Sequence, residues 1–279
     1  NLYFTIEAFN FSRNFNQFME ASIIKFSAEG SISKKQINLE FRPSNKKGIY
    51  FTFPDGSFIE ASVKNLSSAT RNTVLGSGKN LICFVEHLLC AINLLQIPSL
   101  EIFIDGQEIP LLDGSAKPWI DLLKKWPEKN TELTQIELNE VKASLSKDTN
   151  KDERTVLAYP NKEFKMTYIF KSPINGEQSW VSWSLNDGID KLARARTFAP
   201  KEENQAMGLI GKWLSYDMNG YDLPLYEKDE PALHKLLDLF GDLSLSGANP
   251  LGIKAHFISF QGGHALNTQM ARILSKSFV

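Results

Sequence analysis

Histidine and cysteine are both scarce in this chain of 279 residues, which has four of the first and two of the second. Two cysteines cannot build a disulfide-stapled scaffold. Read together on one helix, Cys83 and Cys90 would stand roughly 10 Å apart, beyond the reach of a disulfide. They read as packing residues of a protein kept in a reducing compartment, the cytoplasm. Net charge is also small, −1 from 31 basic and 32 acidic residues, so no global field draws the chain to nucleic acid or an anionic membrane. No apolar run approaches the roughly 20 residues that span a bilayer. The chain opens at Asn1 without a positive-then-apolar leader, so neither a secretory signal nor stable membrane insertion is expected. Gly76-Ser-Gly-Lys-Asn80 has the lysine of a phosphate loop but lacks its upstream glycine and following hydroxyl, which excludes that motif.

What remains is an ordinary globular composition, 42% hydrophobic and 23% charged, with enough chain for one large or two medium domains. Residues 37–41 alternate with period two, and a turn-rich break at 42–48 precedes a second run at 49–53, so residues 22–53 predict strands. Helical spacing over 81–95 predicts the first helix, followed by a strand at 100–104 and a helix at 119–125. A polar stretch at 124–131 reads as a linker. Beyond it the pattern restarts, with strands at 155–159, 164–170 and 179–184, a helix around 235–239, a strand at 255–260 and a last helix at 266–274. Each half runs strands, helix, strand, helix. The class is therefore α+β, with two similar domains (residues 1–128 and 129–279), each a sheet with helices on one face. The halves share little residue identity, so any repeat is one of topology.

With only four histidines, their positions carry information. His234 and Asp238 lie four residues apart and would project from one helix face, close enough to grip a single ion. Imidazole and carboxylate are donors that zinc, iron or manganese accepts. His87 follows Glu86 inside an apolar helical run, where a buried Glu-His pair is costly unless a metal or partner compensates it. His264 follows two glycines that permit a sharp turn. His256 alternates like a strand residue and reads as structural. Three placements of this kind favour a mononuclear metal site.

Several motifs resemble one family, the zinc-dependent UDP-3-O-acyl-N-acetylglucosamine deacetylases of lipid A biosynthesis. They are Val85-Glu-His-Leu-Leu89, Pro110-Leu-Leu-Asp-Gly-Ser-Ala116, Ala195-Arg-Thr-Phe198, His234-Lys-Leu-Leu-Asp238 with Gly241-Asp242, and Gly263-His-Ala-Leu-Asn267. They occur in the family's order, and the resemblance covers nearly all of the chain from about Ile32 onward. It implies two α/β domains with the helices sandwiched between two sheets. It also implies that His87, His234 and Asp238 hold Zn2+, that Glu86 is the general base, that His264 is the general acid, and that the Thr197 hydroxyl helps hold the oxyanion. Lys235 would line the substrate site, and Phe198 would border the passage for the acyl chain. Three protein ligands leave a position open for water, as a catalytic site requires, and Fe2+ suits the same donors. The implied reaction is hydrolysis of the acetamide of an acylated UDP-sugar by a cytoplasmic monomer whose partner is that small molecule.

Bland readings stand beside these. Arg196 and Thr197 could pair or cap at a helix end, Asp113-Gly114 reads as a turn, and Asp242 reads as structural. Three departures from the family's pattern set further expectations. Gly30-Ser-Ile-Ser33 replaces a Gly-Leu-His segment and implies altered positioning without lost chemistry. Gln261 replaces a basic residue and implies weaker contacts to a diphosphate. Gly211-Lys-Trp213 lies in a shortened insert where Lys212 or Trp213 would narrow the acyl passage. The alternatives are a divergent paralogue acting on another acetamido sugar, and a catalytically silent relative that binds nucleotide-sugar or lipid.

Overall fold

Period-two alternation sets the first sheet. In the computed structural model of the chain, which describes residues 23–127, 129, 132–145 and 154–278, β1 (Ile24–Glu29) pairs with β2 (Gln36–Arg42), whose Ile37, Leu39 and Phe41 are buried. Residues 1–22, and residues 128, 130 and 131 of the expected linker, lie outside the described residues. β3 (Gly48–Thr52) and β4 (Phe58–Glu60) follow. A small separate sheet comes next, made of β5 (Leu66–Ser68), β6 (Val74–Ser77) and β7 (Asn80–Ile82). Helix α1 (Val85–Leu94) leads to β8 (Ser99–Ile104) and α2 (Lys117–Leu123). β8 enters the sheet between β2 and β3, antiparallel to the first and parallel to the second.

The second half repeats the plan. After β9 (Ile136–Glu137) come β10 (Lys142–Leu145), β11 (Thr155–Pro160), β12 (Lys165–Lys171) and β13 (Gln178–Trp183). A short helix α3 (Ile189–Ala193) precedes an inserted sheet of β14 (Phe198–Pro200), β15 (Leu214–Asp217) and β16 (Gly220–Tyr221), with α4 (Lys201–Ala206) between its first two strands. Helix α5 (Glu230–Leu243), β17 (Ile253–Phe260) and α6 (His264–Ser275) complete it. β17 enters between β11 and β12, antiparallel to the first and parallel to the second. The strand order of the first half is thus reproduced, as the pattern of the sequence implies.

The helices fill the space between the sheets. All ten residues of α1 are buried, and it packs against α5. Trp119 of α2 meets Phe26 edge-to-face and Phe41 at a tilt, both of the first sheet, with ring centroids 5.2 and 6.2 Å apart. Phe240 of α5 meets Phe164 and Trp183 of the second sheet at 5.5 and 5.9 Å. Each such pair adds about 0.5–1.5 kcal/mol beyond the area it buries. Where α1 and α5 cross, a Cβ on Gly241 would fall 2.1 Å from the Glu86 carbonyl oxygen. Only glycine admits that approach, and overpacking of this kind costs about 1–3 kcal/mol.

The helix expected from residue 81 starts later, at Val85. Leu81 and Ile82 belong to β7, Cys83 pairs with Glu108 in an isolated bridge, and Phe84 turns the chain at φ 62°, ψ 37°. A short continuous apolar run looks alike as strand or helix, so periodicity misplaced this boundary. Cys83 is therefore not helical, and both cysteines are unpaired. Gly78 and Lys79, from the rejected phosphate loop, form the β6–β7 turn. Among the described residues no helix is long and apolar enough to cross a membrane.

Candidate metal centre and acid–base cluster

Two helices bring the first group of side chains together. Glu86 and His87 occupy the first turn of α1, directly after the left-handed Phe84. Helix α5 begins Glu230-Pro231, and proline fits the first turn because its missing N–H would have had no helical partner there. One turn on come His234 and Asp238, both buried and spaced i, i+4. His87 Nε2 and His234 Nε2 each stand 3.5 Å from Asp238 Oδ1, with the two rings at 85° to one another. An ion held tetrahedrally at about 2.1 Å places its donors about 3.4 Å apart, which both edges to Asp238 match, and all three donors lie within 4.8 Å of one another.

Hydrogen bonding selects the same atoms. His234 Nδ1 donates to the Ala195 carbonyl at 3.1 Å, leaving Nε2 with its lone pair towards the triangle. Lys235 Nζ donates to Asp238 Oδ2 at 2.9 Å, while Asp238 Oδ1 is buried with no hydrogen-bond partner among the described residues. An orphaned buried carboxylate oxygen is costly unless a cation satisfies it. Burial pushes the His234 imidazole down to about 3, keeping it neutral as a ligand must be. Burial works against ionisation of Asp238, yet the neighbouring His234 and Lys235 hold its carboxyl well below the usual range. The donor set therefore fits a divalent metal ion.

Glu86, Asp242 and His264 form a second buried group beside the first. His264 is the first residue of α6, and its Nδ1 donates to Asp242 Oδ2 at 2.9 Å. Asn267 Nδ2 donates to the same oxygen at 3.0 Å, and the Thr73 hydroxyl donates to Asp242 Oδ1 at 2.5 Å. Both Asp242 oxygens thus accept hydrogen bonds, unlike Asp238 Oδ1. Burial would lower His264, but Asp242 and Asp238 outweigh it and push the imidazole up to about 10. Glu86 moves up because burial disfavours its charge more than His264 and His87 stabilise it. A carboxyl raised in this way beside an imidazole raised to about 10 has the chemistry to accept and donate protons.

The remaining expected residues border these groups. Ala195, whose carbonyl holds His234, lies two residues before Thr197, which is pinned by Thr197 N–H to Gly114 O at 2.7 Å and Leu214 N–H to Thr197 O at 3.1 Å. Gly114 has φ +84°, and a Cβ there would meet Trp213 at 2.8 Å and Thr197 at 2.9 Å. Asp113 Oδ1 accepts from Ser115, as a turn residue does. The Phe198 ring lies 6.1 Å from His234, 5.9 Å from Phe170 and 6.2 Å from Tyr216, and Lys235 Nζ sits 5.4 Å over its face. Arg196 pairs at the start of α5: Nε and Nη2 donate to the two Glu230 oxygens at 2.8 and 3.1 Å.

The departing segments also find places. In the turn Gly30-Ser-Ile-Ser33, Glu108 accepts from the backbone of Ile32 and Ser33, and Ser31 accepts from Leu111 N–H. Trp213 is buried against Leu111 and Leu209, with Phe84 and Met207 beside them, while Lys212 reaches Glu29 at 3.7 Å. Gln261 takes a positive φ of 47° just before the glycines that launch α6. His256 contacts the Thr167 hydroxyl at 2.8 Å on the sheet, in keeping with a structural residue. A cavity of about 650 Å3 lies at the far end of α1, around Leu89, Asn93 and Gln96, and contains none of the site groups.

The sequence reading left Asp242 as structural and passed over Thr73 and Asn267. The Gly-Asp step after the His234–Asp238 pair was the available signal for Asp242. Thr73 lies in a polar loop that offers none.

Residues 20–276 match the family described as UDP-3-O-acyl N-acetylglycosamine deacetylase. A UDP-3-O-acyl-N-acetylglucosamine deacetylase of Trichormus variabilis is 36% identical over 253 residues, covering 82% of this chain and 88% of its own length. Proteins of the same name from Campylobacter jejuni and Syntrophus aciditrophicus are each 30% identical, over 86% and 88% of this chain and 84% and 81% of their own lengths.

Proposed function

The chain belongs to the UDP-3-O-acyl N-acetylglycosamine deacetylase family, and from that premise we propose which of its residues carry the reaction. It is a metal-dependent deacetylase of lipid A biosynthesis that hydrolyses the acetamide of UDP-3-O-acyl-N-acetylglucosamine, releasing acetate and the free glucosamine amine. Neither the divergent paralogue nor the silent relative is favoured.

His87, His234 and Asp238 would hold the ion, which we assign as Zn2+, with Fe2+ the other ion suited to these donors. When bound, such an ion supplies Lewis acidity, polarising the acetamide carbonyl and acidifying water. Glu86 takes the proton of the attacking water; its raised affinity for protons suits it to that task near neutral pH. The Thr197 hydroxyl donates to the oxyanion that develops as the carbonyl becomes tetrahedral. His264, kept protonated by Asp242, delivers a proton to the nitrogen so that the amine can leave. Lys235 orients Asp238 and faces the substrate, and Phe198 with Phe170 and Tyr216 offers an apolar wall to the acyl chain.

We place the domain boundary between residues 128 and 129. A monomer suffices, because one chain supplies every group named. Two unpaired cysteines suit a reducing compartment, and with a nucleotide-activated substrate they support a cytoplasmic location.

The observation that carries the site assignment is the orphaned Asp238 Oδ1 with two imidazole nitrogens 3.5 Å away. It is tested by following amine release from UDP-3-O-acyl-N-acetylglucosamine after chelation. Activity should vanish and return with one equivalent of Zn2+. Full activity in demetallated enzyme would remove the metal centre from the mechanism.

A further inference from the structure

The proposed base and acid stand on different helices, and one residue outside those helices bonds to both arms. Thr73 lies at the end of the β5–β6 loop and is fully buried. Its backbone N–H donates to Glu86 Oε2 at 3.0 Å, and its hydroxyl donates to Asp242 Oδ1 at 2.5 Å. Asp242 in turn holds His264 Nδ1 through its other oxygen at 2.9 Å. With the hydroxyl proton committed to Asp242, the 3.5 Å separation of Thr73 Oγ1 from His264 Nδ1 is a secondary contact. We infer that Thr73 is a positioning residue that sets the separation between the proton-accepting and proton-donating arms, an inference resting on the roles proposed above for Glu86 and His264.

The physical case is one of geometry. Glu86 comes from α1, Asp242 from α5 and His264 from α6, so their spacing depends on three helices staying in register. A glutamate has rotamer freedom that burial alone does not remove. Thr73 restrains it through its backbone N–H, and its hydroxyl, on a branched Cβ that makes χ1 stiff, holds Asp242 at the same time. The backbone N–H points one way and the hydroxyl the other, so neither arm can shift without breaking a bond to a buried, charge-bearing oxygen. One proton must leave water at Glu86 and another must reach the leaving nitrogen from His264, across the same small acetamide. A misplacement of about 1 Å can cost about 10²-fold in such a reaction. The small sheet β5–β7 thereby acquires a use that its position at the surface of the first half does not suggest: it delivers this threonine between the arms.

The test is Thr73→Val, which keeps the branched shape and the backbone N–H but lacks the hydroxyl, compared with Thr73→Ser, which keeps it. Thr73→Val should lower kcat about 10- to 100-fold, with KM and bound metal unchanged, and Thr73→Ser should restore most of the rate. Thr73→Ala makes the same deletion without pressing a methyl against the Asp242 carboxylate, and it decides the matter if Thr73→Val does not fold. Unchanged kcat in the folded hydroxyl-free variant would overturn the inference. So would a parallel loss of metal and rate that serine fails to rescue, since that describes a merely structural threonine. Glu86→Gln, assayed alongside, separates the two levels: full activity there would refute the base assignment itself, whereas a collapse there with normal Thr73→Val would refute only the part given to Thr73.

Discussion

The two halves of the molecule share one topology and load it differently. In each, a hairpin and two further strands are followed by a small inserted sheet, then a helix, a central strand and a second helix. In the first half the chemistry is packed into the opening turn of α1, where Glu86 and His87 follow a left-handed residue. In the second half His234 and Asp238 sit beyond the first turn of α5, and His264 is the first residue of α6. The inserted sheets differ too. That of the first half brings Thr73 to Glu86 and Asp242, while that of the second brings Thr197 and the aromatic group Phe198, Tyr216 and Tyr221. On the roles proposed above, a repeated scaffold divides its labour: the first half contributes the base, one ligand and Thr73, and the second contributes two ligands, the acid with Asp242, and the contact with substrate.

That division can be broken by substitution. The largest effect is expected at the second half's carboxylate. Asp238→Ala should lose most of the metal and fall to background activity, measured by metal analysis of the purified protein beside the deacetylation assay. Glu86→Gln should instead retain the metal and lower kcat by about 10²–10⁴-fold. Metal loss in that variant would erase the contrast between the halves. Thr197→Val should lower kcat by about 10²–10³-fold with metal retained, as removal of one oxyanion donor does.

A pH experiment sharpens the comparison further. In metal-free protein the His264 imidazole is raised from 6.5 to about 10, because Asp242 and Asp238 outweigh the burial that would lower it. A raised folded value means that its contribution to stability is full below 6.5 and fades as pH climbs through about 10. Denaturant unfolding of the chelated protein between these limits should show stability falling with pH, and Asp242→Asn should flatten that slope. The smallest effect belongs to Arg71–Glu203, a 3.0 Å ion pair joining the two inserted segments at the surface, with Arg71 75% exposed. Screening leaves such pairs little net effect, so Arg71→Ala should change kcat by less than about twofold; a larger loss would mean that the inserts act as one unit.

Much of this was legible in the sequence. The long helices and central strands followed from periodicity, and the scarcity of histidine drew attention to His87, His234 and His264. The start of α1 was not legible, since Leu81 to Phe84 is apolar throughout and so short a run shows no period that separates strand from helix. The inserted sheets were obscure for another reason: their strands are two to four residues long, too short to show a period. Thr73 illustrates the consequence, because its importance lies in contacts to residues 13 and 169 positions away. Asp242 looked like a helix-end carboxylate until the fold placed it against His264.

The central claim is that His87 and the His234–Asp238 pair converge on one divalent ion. An anomalous-difference map collected at the zinc edge from crystals of the metal-loaded protein tests it directly. A single strong peak is expected about 2.1 Å from His87 Nε2, His234 Nε2 and Asp238 Oδ1. A peak lodged instead among Glu86, Asp242 and His264, or no peak near Asp238 in a protein that turns over substrate, would contradict it.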